Sequence, residues 1–454
     1  MANTYLTRTN SGNGSETKGT YSAWIKRSGI SGTQYLWHTS ENSSNDIKIL
    51  FNSGDVLRVL GVNNGSTIMN LTTNRLFRDT GAWYHVVVSF DTTQSTASNR
   101  VKIYINGVQE TSFSTATYPG SSANIKINQS GDRRTIGTAY DNGGSVGNAY
   151  WNGSMSHVYW IDGTTYAAST FGSTDSTTGS WKINTSPSLT MGTNGFTILK
   201  DGKTITDQSA NSNNFSLGGG TLTKTEDNPS NVFATMNPLD GASMAKNSTF
   251  SNGNNTVICS GSNYRPYGTT IGVNKGKWYA EFQANANMGD GIIGVFANYS
   301  AALALSRYAN GYGWYNASGG NIKTADSNMS GGASVGTYAT NNIVQIALDL
   351  ENNKLHFNKN NSGWLNSGNP VNNTGGYAIT DPASTSLGFY FMSAVDWGGG
   401  VRGNWDCNFG NGFFGTSAVS SNSGNGYSGT GSLGIFQYQP PTGYTALCTK
   451  GLNL

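Results

Sequence analysis

Short runs in which apolar and polar residues alternate recur along the whole chain. Residues 21–27, Tyr-Ser-Ala-Trp-Ile-Lys-Arg, have the two-residue period of a half-buried β-strand. Tyr5 and Leu6 have the pattern of a first strand. Similar runs occur at 35–38, 47–51, 56–62, 83–90, 100–108 and 153–161 in the first half, and at 276–282, 291–296, 312–315, 342–350, 354–358 and 387–391 in the second. This spacing predicts an all-β protein built from short strands.

Two of these regions have the pattern of the same hairpin. At 83–108 and at 342–358, β-branched and aromatic residues fill two short runs. The connecting residues include Asn106-Gly107 and Asn352-Asn353, which tolerate the positive φ angles of tight turns. A similar hairpin in each half of the chain predicts two antiparallel β-sandwiches in series. Such a duplication favours surface binding or the building of a particle over catalysis.

Composition agrees with this fold class and narrows the partners. The chain has 454 residues, enough for two or three domains that each bury a core. Only 11% of the residues are charged, against about 25% in a typical protein, and 61 are glycines. Polarity comes instead from Asn, Ser and Thr, which suit tight turns. The net charge is +3 and no run of Lys or Arg occurs, so we expect no nucleic-acid partner.

The sequence shows no pattern of secretion or membrane insertion. The first nine residues lack the apolar stretch of a signal peptide, and no window approaches 18 consecutive apolar residues. Cys259, Cys407 and Cys448 are few, odd in number and far apart. We interpret them as buried thiols of a protein folded in a reducing cytoplasm, rather than as a disulfide framework or a metal site.

The order of several short phrases gives a more specific indication. The first half resembles the laminin-G-like, concanavalin A-like domain of tailed-bacteriophage structural proteins, through SAWIKRS (22–28), WYHVVVSFD (83–91), KIYINGV (102–108), IGTAYD (136–141) and WNGSMSHVYWIDG (151–163). The second half resembles a SPRY-type sandwich, and residues 436–448 resemble the end of phage SPRY proteins. The resemblance implies two concanavalin A-like sandwiches, at 1–232 and 246–454, with a linker at 233–245.

This resemblance also implies a function. We expect a non-enzymatic virion structural protein of a tailed phage, most simply a tail fibre or appendage that contacts host-surface glycans. It would be assembled in the bacterial cytoplasm and exposed on the phage particle, with other virion proteins as partners and a homotrimer as its oligomeric state. The alternative is a capsid or tail decoration protein with a purely structural role, whose aromatic residues contact other virion proteins.

A polysaccharide depolymerase is the third and remote hypothesis. It would need two carboxylates across one cleft, about 5 Å or roughly 6.5 to 9.5 Å apart. The candidate pairs are Glu281 with Asp349 or Glu351, and Asp396 with Asp406. Asp349 and Glu351 flank a hairpin turn, and Glu281 lies where an alternating strand should face water. We therefore expect solvated acids and no enzymatic activity.

Predicted loops supply the candidate binding residues. Laminin-G-like domains often hold one calcium ion at the sandwich rim, which makes Asp91, Asp141 and Asn142 candidate ligands, with turn capping as the alternative. No other cofactor is expected. His85 and His157 fall within strands and are expected to belong to the sheets. The loop aromatics that could stack on a sugar or form a subunit contact are Tyr140, Tyr150, Trp151, Tyr264, Tyr267 and Trp397.

Overall fold

The chain forms two compact units, Met1–Lys224 and Thr225–Leu454. The computed structural model describes residues 3–42, 44–140, 145–147, 149–240, 248–259, 267–286, 288–298, 309–317, 319–329, 333–396, 403–420 and 427–453. Among these residues, no helix is long and apolar enough to span a membrane. The helical segments are short 3-10 turns at Ala97–Asn99, Ala168–Thr170, Asn252–Asn254, Pro382–Ser384, Thr430–Ser432 and Gly451–Asn453.

The first unit consists of two large antiparallel sheets. An eight-stranded sheet has the order β10-β6-β5-β4-β3-β11-β1-β16, a six-stranded sheet has the order β15-β12-β2-β7-β8-β9, and β13 pairs with β14. The strands are β1 Tyr5–Thr9, β2 Lys18–Arg27, β3 Gln34–Asn42, β4 Asn45–Phe51, β5 Val56–Asn63, β6 Ser66–Leu76, β7 Trp83–Asp91, β8 Val101–Ile105, β9 Val108–Glu110, β10 Phe113–Thr117, β11 Arg133–Ile136, β12 Gly153–Asp162, β13 Gly172–Thr174, β14 Trp181–Ile183, β15 Phe196–Ile198 and β16 Ser216–Gly219.

The core of the first unit lies between its two large sheets. Alternate residues of β2, Tyr21, Ala23 and Ile25, enter this core, as the two-residue period predicts. Across the core, Trp37 of β3 stacks on Trp160 of β12 with 4.9 Å between ring centroids. Both tryptophans are fully buried, so the first unit is a β-sandwich held by apolar packing between its layers.

The second unit repeats this arrangement. One sheet has the order β17-β18-β29-β20-β25-β26-β27, with β32 parallel to β20; a six-stranded sheet has the order β19-β28-β21-β22-β23-β24; and β30 pairs with β31. The strands are β17 Thr249–Ser251, β18 Thr256–Ile258, β19 Tyr267–Gly268, β20 Lys277–Ala286, β21 Gly291–Phe296, β22 Gly311–Tyr315, β23 Asn321–Thr324, β24 Ser327–Asn328, β25 Ile343–Asp349, β26 Lys354–Lys359, β27 Tyr377–Ala378, β28 Phe391–Asp396, β29 Asn404–Asn408, β30 Phe413–Phe414, β31 Ser417–Ala418 and β32 Thr445–Ala446.

A second apolar core joins the two large sheets of this unit. Trp314 of β22 meets Phe357 of β26 edge-on at 6.1 Å, and both are fully buried. Ala280 and Phe282 of β20 also enter this core. The all-β class and the two sandwiches predicted from the sequence are therefore confirmed.

In each unit, a segment with little regular structure covers the outer face of one sheet. In the first unit, residues 164–191, here the first cover segment, pack on Val87, Tyr159 and Ile161 of the six-stranded sheet. In the second unit, residues 427–448, here the second cover segment, pack on Tyr279 and Ala347 of the larger sheet. Each of these sheets is therefore apolar on both faces, which the alternation along a single strand does not reveal.

Three local predictions concern a turn, a strand and the linker. The turn at Asn106-Gly107 has φ angles of 48° and 83° and joins β8 to β9, as its residues predict. The strand predicted at 387–391 begins only at Phe391. Part of the linker predicted at 233–245 lies outside the described residues, and in the described part Phe233 pairs with Cys448 of the second unit.

Candidate functional site

Three tyrosines meet on the outer face of the eight-stranded sheet of the first unit. Leu6 of β1 enters the core, so its neighbours Tyr5 and Thr7 face outward. The rings of Tyr5 and Tyr150 lie 6.2 Å apart, and the hydroxyl of Tyr140 is 3.1 Å from Thr7 Oγ1. We call Tyr5, Tyr140 and Tyr150 the tyrosine patch. All three are partly exposed.

Neighbouring groups hold this patch in place. The guanidinium of Arg133 lies 5.1 Å from the ring of Tyr140, and the backbone N–H of Tyr140 donates to His38 Nδ1 at 3.3 Å. A β-carbon on Gly218 would lie 2.1 Å from the ring of Tyr5, so glycine there leaves room for this ring position. Burial raises the pKa of Tyr5, and the nearby Tyr140 and Tyr150 raise this pKa further. The patch presents aromatic faces and hydroxyl groups together.

The sequence predicted Tyr140 and Tyr150 as surface aromatics, and the structure brings them together. Tyr5 was predicted only as part of a first strand, although the alternation with Leu6 also indicates its outward face. Trp151 differs from its prediction, because it packs against the core, with its ring 6.1 Å from that of Phe51. Trp151 is therefore a partly buried packing residue.

The aromatics predicted for the second unit do not form a comparable patch. Tyr267 lies in β19 rather than in a loop; it is 3% exposed and meets Phe250 edge-on at 4.9 Å. The prediction of Tyr267 as an exposed loop residue is therefore wrong, because a two-residue strand carries it into the core. Tyr264 and Trp397 lie outside the described residues.

A polar cleft of about 220 Å³ opens on the other sheet of the first unit, beside the first cover segment. Strand residues and cover-segment residues line it together, among them Ser89, Asp91, Lys102, Tyr104, Thr165 and Tyr166. We call it the Lys102 cleft. Neither Lys102 nor Tyr104 was predicted as a site residue, because both belong to the hairpin pattern of β7 and β8.

Asp91, a predicted calcium ligand, lies in this cleft and is engaged by its own turn. Its carboxylate accepts hydrogen bonds from the N–H and the hydroxyl of Thr93 at 3.1 and 2.5 Å and from Gln94 Nε2 at 2.8 Å, and it lies 3.6 Å from Lys18 Nζ. Burial raises its pKa, but these donors outweigh burial and the pKa is lowered. Asp141 and Asn142 lie outside the described residues. The described residues contain no group of three His, Cys, Asp or Glu that could hold a metal.

Glu281 of the second unit is not solvated as predicted. Trp278, Ala280 and Phe282 of β20 enter the core, so Glu281 lies on the outer face, as its position in the alternation indicates. The second cover segment lies over this face, and Glu281 is fully buried. The prediction that Glu281 faces water is wrong because the covering residues come more than 150 positions later in the chain.

Four donors surround the buried Glu281 carboxylate. Oε1 accepts from the Tyr279 hydroxyl at 3.0 Å and from the Tyr438 N–H at 2.8 Å; Oε2 accepts from Asn408 Nδ2 at 3.2 Å and from the Gln437 N–H at 2.9 Å. Burial raises the pKa of Glu281 to about 7, although all four donors favour the ionised form. Glu281 therefore ties the second cover segment to the sheet through two backbone N–H groups.

Asp349 is also buried, which again contradicts the prediction. It lies 3.0 Å from Lys277 Nζ and accepts from the N–H groups of Glu351 and Asn352 at 3.0 Å each, so it caps the turn. Glu351 is exposed, as predicted. Glu281 of β20 lies opposite Gln345 of β25, and Asp349 lies four residues further along β25. At ~3.4 Å per residue, Glu281 and Asp349 are therefore roughly 14 Å apart.

The second predicted pair of acids is only partly described. Asp406 is buried and accepts a hydrogen bond from the hydroxyl of Thr256. The side chain of Asp396 lies outside the described residues. Asp406 is thus part of the contact between β18 and β29.

His85 and His157 lie in strands and the three cysteines are buried, as predicted. His85 is fully buried between Trp24 and Trp181. Its Nδ1 accepts from the Trp181 indole at 3.0 Å, so Nε2 carries the proton and donates to Ser22 Oγ at 2.9 Å. Burial lowers the pKa of His85 to about 3. His157 is 8% exposed within β12. The three cysteines are buried free thiols.

Comparison with known proteins supports the fold. Residues 1–169 match the family model described as the concanavalin A-like lectin/glucanases superfamily. The first unit thus has a concanavalin A-like, laminin-G-like fold. Among curated protein sequences, none matches the chain.

Solved structures with similar folds cover different shares of the chain. A native heptameric SAP-like pentraxin from Limulus polyphemus has 19% identity over 44% of this chain and 90% of its own, with a TM-score of 0.30. The SPRY domain of human HERC1 has 11% identity over 34% and 86%, with a TM-score of 0.26. Domains LG4-5 of the mouse laminin α1 chain have 8% identity over 89% and 79%, with a TM-score of 0.28. TM-scores at this level support no transfer of function.

Proposed function

We propose that this protein is a non-enzymatic structural protein that contacts glycans through its first unit. The tyrosine patch carries the proposal. Tyr5, Tyr140 and Tyr150 are partly exposed on one sheet face, with 6.2 Å between the rings of Tyr5 and Tyr150. Tyrosine has an apolar ring face and a polar hydroxyl, and a sugar presents the same combination of C–H faces and hydroxyl groups. The lectin-like fold of residues 1–169 is compatible with this role.

The carboxylates of the second unit support a non-enzymatic role. Glu281 and Asp349 lie roughly 14 Å apart along one sheet, beyond the ~6.5 to 9.5 Å that suits an inverting glycosidase. Both acids are also occupied, since Glu281 accepts four hydrogen bonds and Asp349 is paired with Lys277. These carboxylates stabilise the fold rather than act on a bound sugar.

The biological setting belongs to the same proposal. In it, the protein is a tail fibre or appendage of a tailed phage, oligomeric in the virion and in contact with the host surface. The ordered phrases at 22–28, 83–91, 102–108, 136–141 and 151–163 support this setting through their resemblance to phage structural proteins. The competing role is a virion decoration protein, in which the tyrosine patch contacts another virion protein.

The test compares Tyr150→Ala with Tyr35→Ala. Tyr150 contacts Tyr5 through its ring, whereas Tyr35 is a partly exposed residue of β3 that belongs to neither the tyrosine patch nor the Lys102 cleft. Tyr150→Ala should weaken binding to purified host-surface polysaccharide by roughly 1 to 3 kcal/mol, with little change in melting temperature. Tyr35→Ala should bind as the wild type does. Normal sugar binding by Tyr150→Ala, together with its loss from assembled particles, would favour the decoration role.

A further inference from the structure

The Lys102 cleft lies on the sheet opposite to the tyrosine patch, where β7 and β8 emerge beside the first cover segment. Ser89 of β7 pairs with Lys102 of β8, so both side chains share the outer face. Tyr104 follows two residues later on the same face. Thr165 and Tyr166 of the cover segment form the facing wall. The cleft thus joins two tyrosines, a lysine and several hydroxyl groups.

Hydrogen bonds fix the cover-segment wall of this cleft. The Ser89 hydroxyl donates to the carbonyl of Tyr166 at 2.6 Å, and the Thr165 hydroxyl donates to the carbonyl of Phe90 at 3.2 Å. The Tyr166 N–H donates to Thr20 Oγ1 at 2.9 Å. The Tyr166 hydroxyl in turn accepts from the N–H of Thr190 at 2.9 Å. This wall is set before a ligand arrives, which lowers the entropic cost of binding.

The opposite rim is equally constrained. Gln94 and Asn99 line the cleft from the loop between β7 and β8. Arg100 clamps this loop, because its guanidinium donates to the carbonyls of Gln94, Ser95 and Pro119 at 2.8 to 2.9 Å. The charge of Arg100 is therefore committed to the loop, while the Gln94 and Asn99 amides lie at the cleft.

Among the residues that the structure describes, Lys102 is the positively charged residue that lines the cleft. Asp91 is the acid that lines it, and this carboxylate is held by Thr93, Gln94 and Lys18. The Lys102 ammonium group forms no hydrogen bond or ion pair with any residue that the structure describes. A partly exposed ammonium group in a walled cleft, next to a neutralised acid, favours a ligand that carries one negative charge.

We propose that the Lys102 cleft binds a single acidic sugar residue, whose carboxylate pairs with Lys102 and whose ring lies against Tyr104 and Tyr166. A volume of about 220 Å³ is below the ~300 Å³ at which clefts begin to hold drug-sized ligands, so it suits one sugar ring. The amide of Asn99 also lines the cleft and would bind a hydroxyl group of the sugar. The inference rests on the proposed glycan contact and adds a second site, with a defined sugar class, on the opposite sheet.

The test uses two probes that differ only at the charged group. Methyl β-D-glucuronide carries a carboxylate where methyl β-D-glucoside carries a hydroxymethyl group. Both are titrated against the full chain by ligand-observed NMR. The wild type should prefer the glucuronide, and Lys102→Gln should weaken glucuronide binding about tenfold while leaving the glucoside unchanged, because the variant loses a charge-assisted hydrogen bond. Tyr104→Ala should weaken both probes equally, and the exposed Lys203→Gln should change neither.

Two results would overturn the inference. One is a preference for the glucuronide that survives in Lys102→Gln, and the other is the absence of any glucuronide preference in the wild type at unchanged melting temperature. The polysaccharide assay on Tyr150→Ala separates these failures from that of the proposed function. If Tyr150→Ala loses polysaccharide binding while Lys102→Gln binds the glucuronide as the wild type does, the tyrosine patch remains the proposed glycan site and only the inference about the cleft fails.

Discussion

Replacing Glu281 with Gln should remove a specific pH dependence from the stability of the second unit. In the folded protein the pKa of Glu281 is about 7, against an ordinary value of 4.5. This difference of about 2.5 pH units corresponds to about 3 kcal/mol at 1.36 kcal/mol per unit. An acid with a raised pKa binds its proton more tightly in the folded state, so its contribution to stability is complete below pH 4.5 and is lost as the pH rises through 7.

The variant also has a predictable absolute effect. A Gln side chain offers one oxygen and one NH₂ group where Glu281 accepts from four donors, among them the N–H groups of Gln437 and Tyr438. At least one buried backbone N–H then faces another donor, which costs about 1 to 3 kcal/mol. At pH 4.5 the wild-type carboxyl is protonated and itself carries one O–H, so Glu281→Gln, with two N–H groups in its place, should be less stable by at most this amount. Between pH 4.5 and 8.5 the stability of the wild type should fall by about 3 kcal/mol relative to that of the variant, because the wild type loses the stabilisation from its bound proton.

Urea unfolding of the full chain at pH values from 4.5 to 8.5 provides the assay, with tryptophan fluorescence as the signal. In the difference between the free energies of unfolding of the wild type and the variant, the contributions of the titrating groups that both proteins share cancel. Glu351→Gln is the matched control, since Glu351 is an exposed acid in the turn after β25, and it should change the free energy of unfolding little. A constant difference for Glu281→Gln across the range would refute the raised pKa and the role assigned to burial.

Two further substitutions probe the first unit. Asp55→Asn should lower its stability by about 3 to 5 kcal/mol in thermal unfolding, because Arg27, 3.0 Å away and fully buried, loses its anionic partner, whereas the exposed Asp79→Asn should change little. Gly218→Ala should displace the ring of Tyr5 and weaken polysaccharide binding to about the extent of Tyr150→Ala, and unchanged binding would show that the position of Tyr5 does not matter.

Local patterns predicted the strands well because both strand geometry and the turns depend on neighbouring residues. The alternation in residues 21–27 gives the inward positions of β2, and Asn106-Gly107 gives a turn with positive φ. The same alternation even indicates the correct face for Glu281. It could not indicate burial, since the residues that cover Glu281 are Gln437 and Tyr438, and only the folded chain brings them onto β20.

The cover segments explain which residues lie at the surface as the sequence predicts. Around Tyr5, Tyr140 and Tyr150, where no described segment covers the outer sheet face, the aromatic residues predicted at the surface are partly exposed. Where a cover lies over the face, Glu281 becomes part of the fold's interior. The Lys102 cleft lies at the edge of the first cover segment. Hydrogen bonds of Thr165 and Tyr166 hold that segment on the sheet, and Lys102 beside it stays partly exposed. Binding sites of this protein are therefore expected at uncovered sheet faces and at the margins of covers, rather than at the buried acids.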